Sequence, residues 1–329
     1  MREVIFMYFY DVEAFIRHCS RKGLAPKTVS SYEQTLRLFG AYLEQQEIRQ
    51  TERIRHAHIE SYISYLHERG KYTICTVPEP RSKNYPDKRK DYAKKISAVT
   101  VNNYLRNMNA FFNWCVEEEM IEKNPIKPND FSRVERKPLE FVTDADFKRL
   151  LGCMDISKFS EYRDSVIIQL LLDTGMRCGE CLSTQVENVD MTRCCIYLPA
   201  EITKGKKGRY VFFSAKMCKI LRRWLQYKDR YRDSEYLFCT NEGKPVQVSN
   251  FETNVRKYAR RVGLKDIHPH CFRNNFAKRF LMGGGDIYTL SRLLGHSSVT
   301  VTEKAYLDIN TDDLRAMYQK HSPLENMNF

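Results

Sequence analysis

Six side chains in the second half of this chain have the types and local frames of a reaction centre. Arg177 closes the run L-L-D-T-G-M-R, with Glu180 three residues on, and Lys204 lies in I-T-K-G-K-K-G-R-Y-V. His270 and Arg273 form the H-x-x-R of H-P-H-C-F-R-N-N-F-A, His296 lies in L-L-G-H-S-S, and Tyr306 ends V-T-E-K-A-Y. Guanidiniums grip oxyanions with two prongs and keep their charge at neutral pH. Histidines donate hydrogen bonds or shuttle protons. A tyrosine hydroxyl, with a pKa of about 10, becomes a nucleophile only beside a base or within a cationic field. A lysine held among cations yields its proton more readily to a departing alkoxide. Such a set suits displacement at an anionic phosphodiester, where charge builds on the non-bridging oxygens.

Each frame has a plainer reading when taken alone. Arg177 would be a surface arginine after a glycine turn, and His270 would cap a helix starting near Cys271. Lys206 and Lys207 rival Lys204 on one turn, and Tyr288 and Tyr318 are the nearest rivals of Tyr306. The ordered set carries more than its members. It resembles the tyrosine recombinase (phage integrase) family, whose members cut and rejoin DNA through a phosphotyrosine. The resemblance implies that Arg177 and Arg273 clamp the phosphate, with His270 and His296 as donors or proton shuttles. It makes Lys204 the general acid and Tyr306 the nucleophile, with Glu180 in support, positioning an arginine. It further implies site-specific strand exchange on double-stranded DNA by a homo-tetramer on paired sites, with accessory DNA-bending proteins as further partners and no ATP, metal or other cofactor. Asn274 departs from the histidine frequent at that place in the family, and an arm-binding domain before the first helix, as in the larger phage integrases, is not expected. Integration, excision or transposition of a mobile element is the expected role. Chromosome-dimer resolution, type IB topoisomerase activity and a non-cutting DNA-binding remnant are the alternatives.

Composition agrees with a polyanionic partner. The 329 residues carry a net charge of +13 and a pI near 9.1, and a basic balance of this size is an electrostatic footprint for nucleic acid. No apolar run approaches the roughly 20 residues of a membrane span, and the start lacks a signal-peptide cleavage site. Eleven cysteines without a regular framework indicate reduced thiols in a cytoplasmic, DNA-associated protein. Cys178, Cys181, Cys194 and Cys195 have the makings of a zinc site, but adjacent cysteines make poor tetrahedral ligands and core thiols are the simpler reading.

Periodicity predicts the elements that must hold these groups. Val12, Phe15, Ile16 and Cys19 mark a helix stopped by Gly23. Val29, Tyr32, Leu36, Phe39 and Leu43 mark a second after Pro26. Ile59, Tyr62, Ile63 and Leu66 mark a third ending at Gly70, and Val101 to Cys115 a fourth. Residues 71–96 read as an inserted basic loop, either solvated or touching DNA, and residues 124–138 as a linker. Beyond it, helices are expected from Thr143, over 166–172, beside Arg177, and over 217–227, 251–262, 272–281 and 287–294. Strands are expected over 194–198 and 209–213, joined by the turn at 204–208. The fold class is mainly α with a small antiparallel sheet. With the resemblance it becomes a two-domain DNA clamp: residues 1–132 a helical core-binding (SAM-like) domain, residues 133–329 a catalytic domain with a tail helix at 311–320, expected to dock on a neighbouring subunit, with packing on its own domain as the alternative. The basic side chains expected at DNA are Lys27, Lys88, Arg89, Lys90, Lys206, Lys207 and Arg209.

Overall fold

The computed structural model describes residues 7–74, 89–134, 141–306, 315 and 318, with the backbone alone for 304–306. The chain divides into two compact units, Met1–Arg136 and Lys137–Phe329.

The first unit is built on α1 (Met7–Arg21), α2 (Pro26–Gln45), α3 (His56–Arg69) and α4 (Ala98–Glu117). Proline at the first position of α2 gives up an N–H that the helix start leaves unpaired anyway. The expected apolar stripes converge: Tyr8, Phe15, Phe39 and Phe111 pack edge to face at centroid separations of 5.5–6.0 Å, geometry that aromatic quadrupoles favour. The Tyr8 hydroxyl donates to the Leu36 carbonyl at 3.0 Å, so the ring is buried without an orphaned donor. The inserted segment is pinched at its stem, where Lys71 N donates to Lys94 O (2.8 Å) and Ala93 N to Lys71 O (2.9 Å). Residues 75–88, including Lys88, lie outside the described residues. The front of the expected linker belongs to this unit instead. Asn124 Nδ2 donates to Asn109 Oδ1 and Asn113 Oδ1, Asn102 exchanges two hydrogen bonds with the Ser132 backbone, and Ile126 is buried.

The second unit runs α5 (Asp144–Gly152), α6 (Phe159–Thr174), α7 (Cys178–Leu182), β1 (Val189–Asp190), β2 (Cys195–Leu198), β3 (Arg209–Phe212), α8 (Ala215–Tyr231), α9 (Val248–Arg261), α10 (Pro269–Met282), α11 (Ile287–Leu294) and α12 (Val299–Tyr306). The strands form an antiparallel sheet in the order β1-β2-β3, with Ile196 opposite Val211 and Leu198 opposite Arg209. Alternation sends Ile196, Leu198 and Val211 into the core and leaves Tyr197, Tyr210 and Phe212 exposed. Helix α6 is buried nearly all round, Val166, Ile167, Ile168, Leu170 and Leu171 included. Its Asp164 is charged and fully buried, so it must be paired. Arg163 grips one carboxylate oxygen and Asn254 and Tyr258 of α9 donate to the other at 2.9 Å. Thr143, Ser214 and Asp286 cap α5, α8 and α11 with side-chain oxygens.

The four clustered cysteines are dispersed by these elements. Cys181 is core, Cys195 is buried on β2, Cys178 opens α7, and Cys194 pairs with the Met191 carbonyl near Cys218. Among the described residues all ten cysteines are free thiols. Of the tail helix expected over 311–320, only Arg315 and Tyr318 fall within the described residues, and both are exposed.

Candidate active site

The first half of the site is set by the break between α6 and α7. Gly175 ends α6 in the left-handed region at φ 64°, which a glycine enters without a Cβ penalty. A Cβ there would also lie 2.2 Å from Phe276 Cδ1. The turn releases Arg177 as the residue capping α7. Glu180, 2% exposed, accepts from the Arg177 backbone N at 2.9 Å and from its Nη1 at 3.0 Å. The carboxylate thus fixes both ends of this arginine, while its side chain stays 29% exposed.

The second half comes from α10 and the end of α11. His268 precedes Pro269 at the head of α10, so His270 stands in the first turn and Arg273 one turn on. Arg273 is buried; its Nη1 donates to Gly175 O at 2.7 Å and its Nη2 to Leu294 O at 2.9 Å. Arg177 Nη2 reaches Gly295 O at 3.5 Å. Both guanidiniums therefore meet carbonyls at the C-terminus of α11, the end that favours cations. Arg273 Nη2 also lies 2.9 Å from His296 Nε2. A guanidinium only donates, so Nε2 must accept and Nδ1 must carry the proton. That Nδ1 then donates to Thr302 Oγ1 at 2.7 Å, on α12 and one turn before Tyr306.

Burial first, then the charges of Arg273, Arg177 and Arg209, lower the His296 imidazole to about 4. His270 is also lowered, by desolvation and then by Arg273, His268 and Arg177. His270 is open at the surface, so its shift carries little stability. Both imidazoles are uncharged at neutral pH.

Arg177, Arg273 and His296 are thus drawn into one hydrogen-bonded cluster, with His270 beside them. Lys204 stands exposed in the turn before β3. Tyr306 ends α12, and its side chain lies outside the described residues. Among the basic residues expected at DNA, Lys27, Lys90, Lys206 and Lys207 are exposed. Arg89 stacks on Tyr72 at 4.1 Å and pairs with Asp91. Arg209 is turned inward instead, donating from Nη1 to Glu180 Oε1 at 3.0 Å and from Nη2 to Oε2 at 2.6 Å. The alternation of β3 places it on the face of Val211, a signal present in the sequence. Thr302 and Gly295 were not singled out there. The first is legible only as the residue four before Tyr306, the second only as part of a motif read for its histidine.

Residues 140–312 match the model of the phage integrase family, and residues 12–77 match that of the phage integrase N-terminal SAM-like domain. The chain belongs to the phage integrase family of tyrosine recombinases. As a member it is a DNA strand transferase. It is similar to tyrosine recombinase XerC of Bacillus pumilus, 26% identical over 95% of this chain and 96% of that one. It is 30% identical to XerC of Thermodesulfovibrio yellowstonii over 70% of this chain and 78% of that one. Its fold resembles the Tn1549 transposon integrase in complex with circular intermediate DNA, with a TM-score of 0.70, 18% identity, and coverage of 94% of this chain and 97% of that one.

Proposed function

We propose that this tyrosine recombinase exchanges strands between paired DNA sites through a 3′-phosphotyrosine on Tyr306, in the integration, excision or transposition of a mobile element. The convergence of Arg177 and Arg273 on the carbonyls at the end of α11 carries the reading. Two fixed cations there would stabilise a phosphorane-like transition state without reorganising. The Tyr306 oxygen attacks phosphorus and the bond to the 5′ oxygen breaks. Neutral His270 takes the phenolic proton, and Lys204 gives a proton to the 5′ oxygen. The phosphotyrosine conserves the bond, so a 5′ hydroxyl from the partner duplex reverses the step without ATP. A tetramer on two duplexes, aided by DNA-bending proteins, would supply that partner.

A second reading, chromosome-dimer resolution, is favoured by the end-to-end match to XerC. One experiment separates the two. Genomic fragments trapped covalently by the full chain on nicked DNA are sequenced, with Tyr306→Phe as control. The variant should bind but trap nothing, because only the nucleophile is lost. Fragments from the ends of an element support the proposal, and fragments from one fixed chromosomal site support dimer resolution. An adduct on Tyr288 or Tyr318 would overturn the assignment of Tyr306.

A further inference from the structure

We propose that Arg209 is a positioning residue of the strand-transfer site: through Glu180 it sets the orientation of Arg177, and its strand ties that pair to the turn bearing Lys204. The inference rests on reading Arg177 as a phosphate clamp.

Three observations converge on it. The pleat of β3 directs Arg209 inward, with its side chain 14% exposed, unlike its exposed neighbours Tyr210 and Phe212. Its two Nη groups take both oxygens of Glu180, at 3.0 and 2.6 Å, in the fork geometry only arginine provides. Burial pushes the Glu180 carboxyl up, yet it is held below its ordinary value, by Arg209 ahead of Arg177. Arg209 is therefore the stronger partner of the carboxylate that fixes Arg177 at backbone and side chain.

The third observation is steric. A Cβ on Gly295, the glycine of L-L-G-H, would lie 2.7 Å from Arg209 Nε and 2.9 Å from its Cδ and Cζ. That glycine leaves the room in which the guanidinium lies, one residue before His296. The two arginines also share one carboxylate, leaving the trio with a net positive charge facing the phosphate. Without Arg209, Glu180 would neutralise Arg177 alone, and the carboxylate would be free to rotate away from the backbone N–H it caps. Arg209 follows Lys204 by five positions, and Thr203 closes the turn between them by accepting from Lys207 N at 3.1 Å. Fixing the start of β3 thereby fixes one end of the turn on which the general acid is carried.

A buried ion pair serving stability alone would predict a different pattern. The test uses single-turnover cleavage of a nicked substrate by the full chain, with half-site binding and melting temperature measured in parallel. Arg209→Gln should slow cleavage about 10- to 100-fold, as misplacing a reacting group does, with binding changed less than about threefold. In a Glu180→Gln background the same substitution should cost little more, since coupled residues are non-additive. The acid limb of the rate–pH profile should move up, because a cation has left the surroundings of His296. Arg209→Lys keeps the buried charge should Arg209→Gln fold poorly, and it should still be about tenfold slow for want of the fork. Wild-type rates in both variants, with Arg177→Ala inactive, would overturn the inference alone. Full activity of Arg177→Ala would overturn the clamp and the inference with it.

Discussion

Protonating His296 would require its Nε2 to stop accepting from Arg273 and would place a second cation beside the guanidinium, with Arg177 and Arg209 close by. The folded chain therefore binds this proton only near pH 4, against an ordinary 6.5. Between those values the unfolded chain holds the proton and the folded chain does not. The contribution to stability is complete above about 6.5 and is lost as pH falls toward 4. The site is half-open, so solvent screening reduces the effect to roughly 1 kcal/mol, or about 2–4 °C in melting temperature. The melting temperature of the wild type should fall more steeply from pH 7 to pH 4.5 than that of His296→Gln. Parallel profiles would exclude His296 as the titrating group. The residue scale was the most legible in the sequence, because Arg177, His270, Arg273 and His296 each lie in a distinctive frame. The inward turn of Arg209 was not read there, since one more cation in K-G-K-K-G-R looks like its exposed neighbours until the pleat is counted.

Elements hold those residues through their ends more than through their lengths. Gly175 shows this: it ends α6, offers its carbonyl to Arg273 and makes room for Phe276. Gly175→Ala would add left-handed strain and force the Phe276 ring to move, together costing about 2–4 kcal/mol. Cleavage should fall beyond what the stability loss explains, because Arg273 follows the carbonyl. Urea midpoints and single-turnover rates at a temperature where the variant stays folded would measure both. An unchanged midpoint would sink the argument. The long amphipathic helices α1 to α4 were legible because their apolar residues recur every three or four positions. Two residues of β1 are too few for any period. The V-T-V-T opening α12 consists of β-branched residues that alternate as in a strand, and only tertiary contact through Thr302 and His296 makes that helix intelligible. Asn124 to Ser132 looked like a linker because its prolines and polar residues conceal side chains that pair with α4.

Charge is the property that belongs to the whole molecule. Lysines and arginines exceed acids in both units, and the total reaches +13. Each unit on these grounds has an electrostatic claim on the DNA backbone, independent of the two arginines proposed to clamp the scissile phosphate. A protein that neutralises several phosphates releases their counterions, and its affinity falls with salt in proportion to their number. If both units engage DNA, six to ten phosphates should be neutralised, and affinity should drop about 10³- to 10⁵-fold between roughly 50 and 200 mM salt. The measurement calls for the full-length Tyr306→Phe chain, so that covalent capture does not distort the equilibrium, and a trapped genomic fragment as probe. Replacing exposed Lys206 and Lys207 together by glutamine should lessen the logarithmic slope by about two, the contribution of two lost contacts. Arg209→Gln should leave the slope unchanged, since its guanidinium is spent on Glu180 rather than on DNA. A slope of about −2 for the parent chain would confine contact to the reaction centre and refute a role for both units.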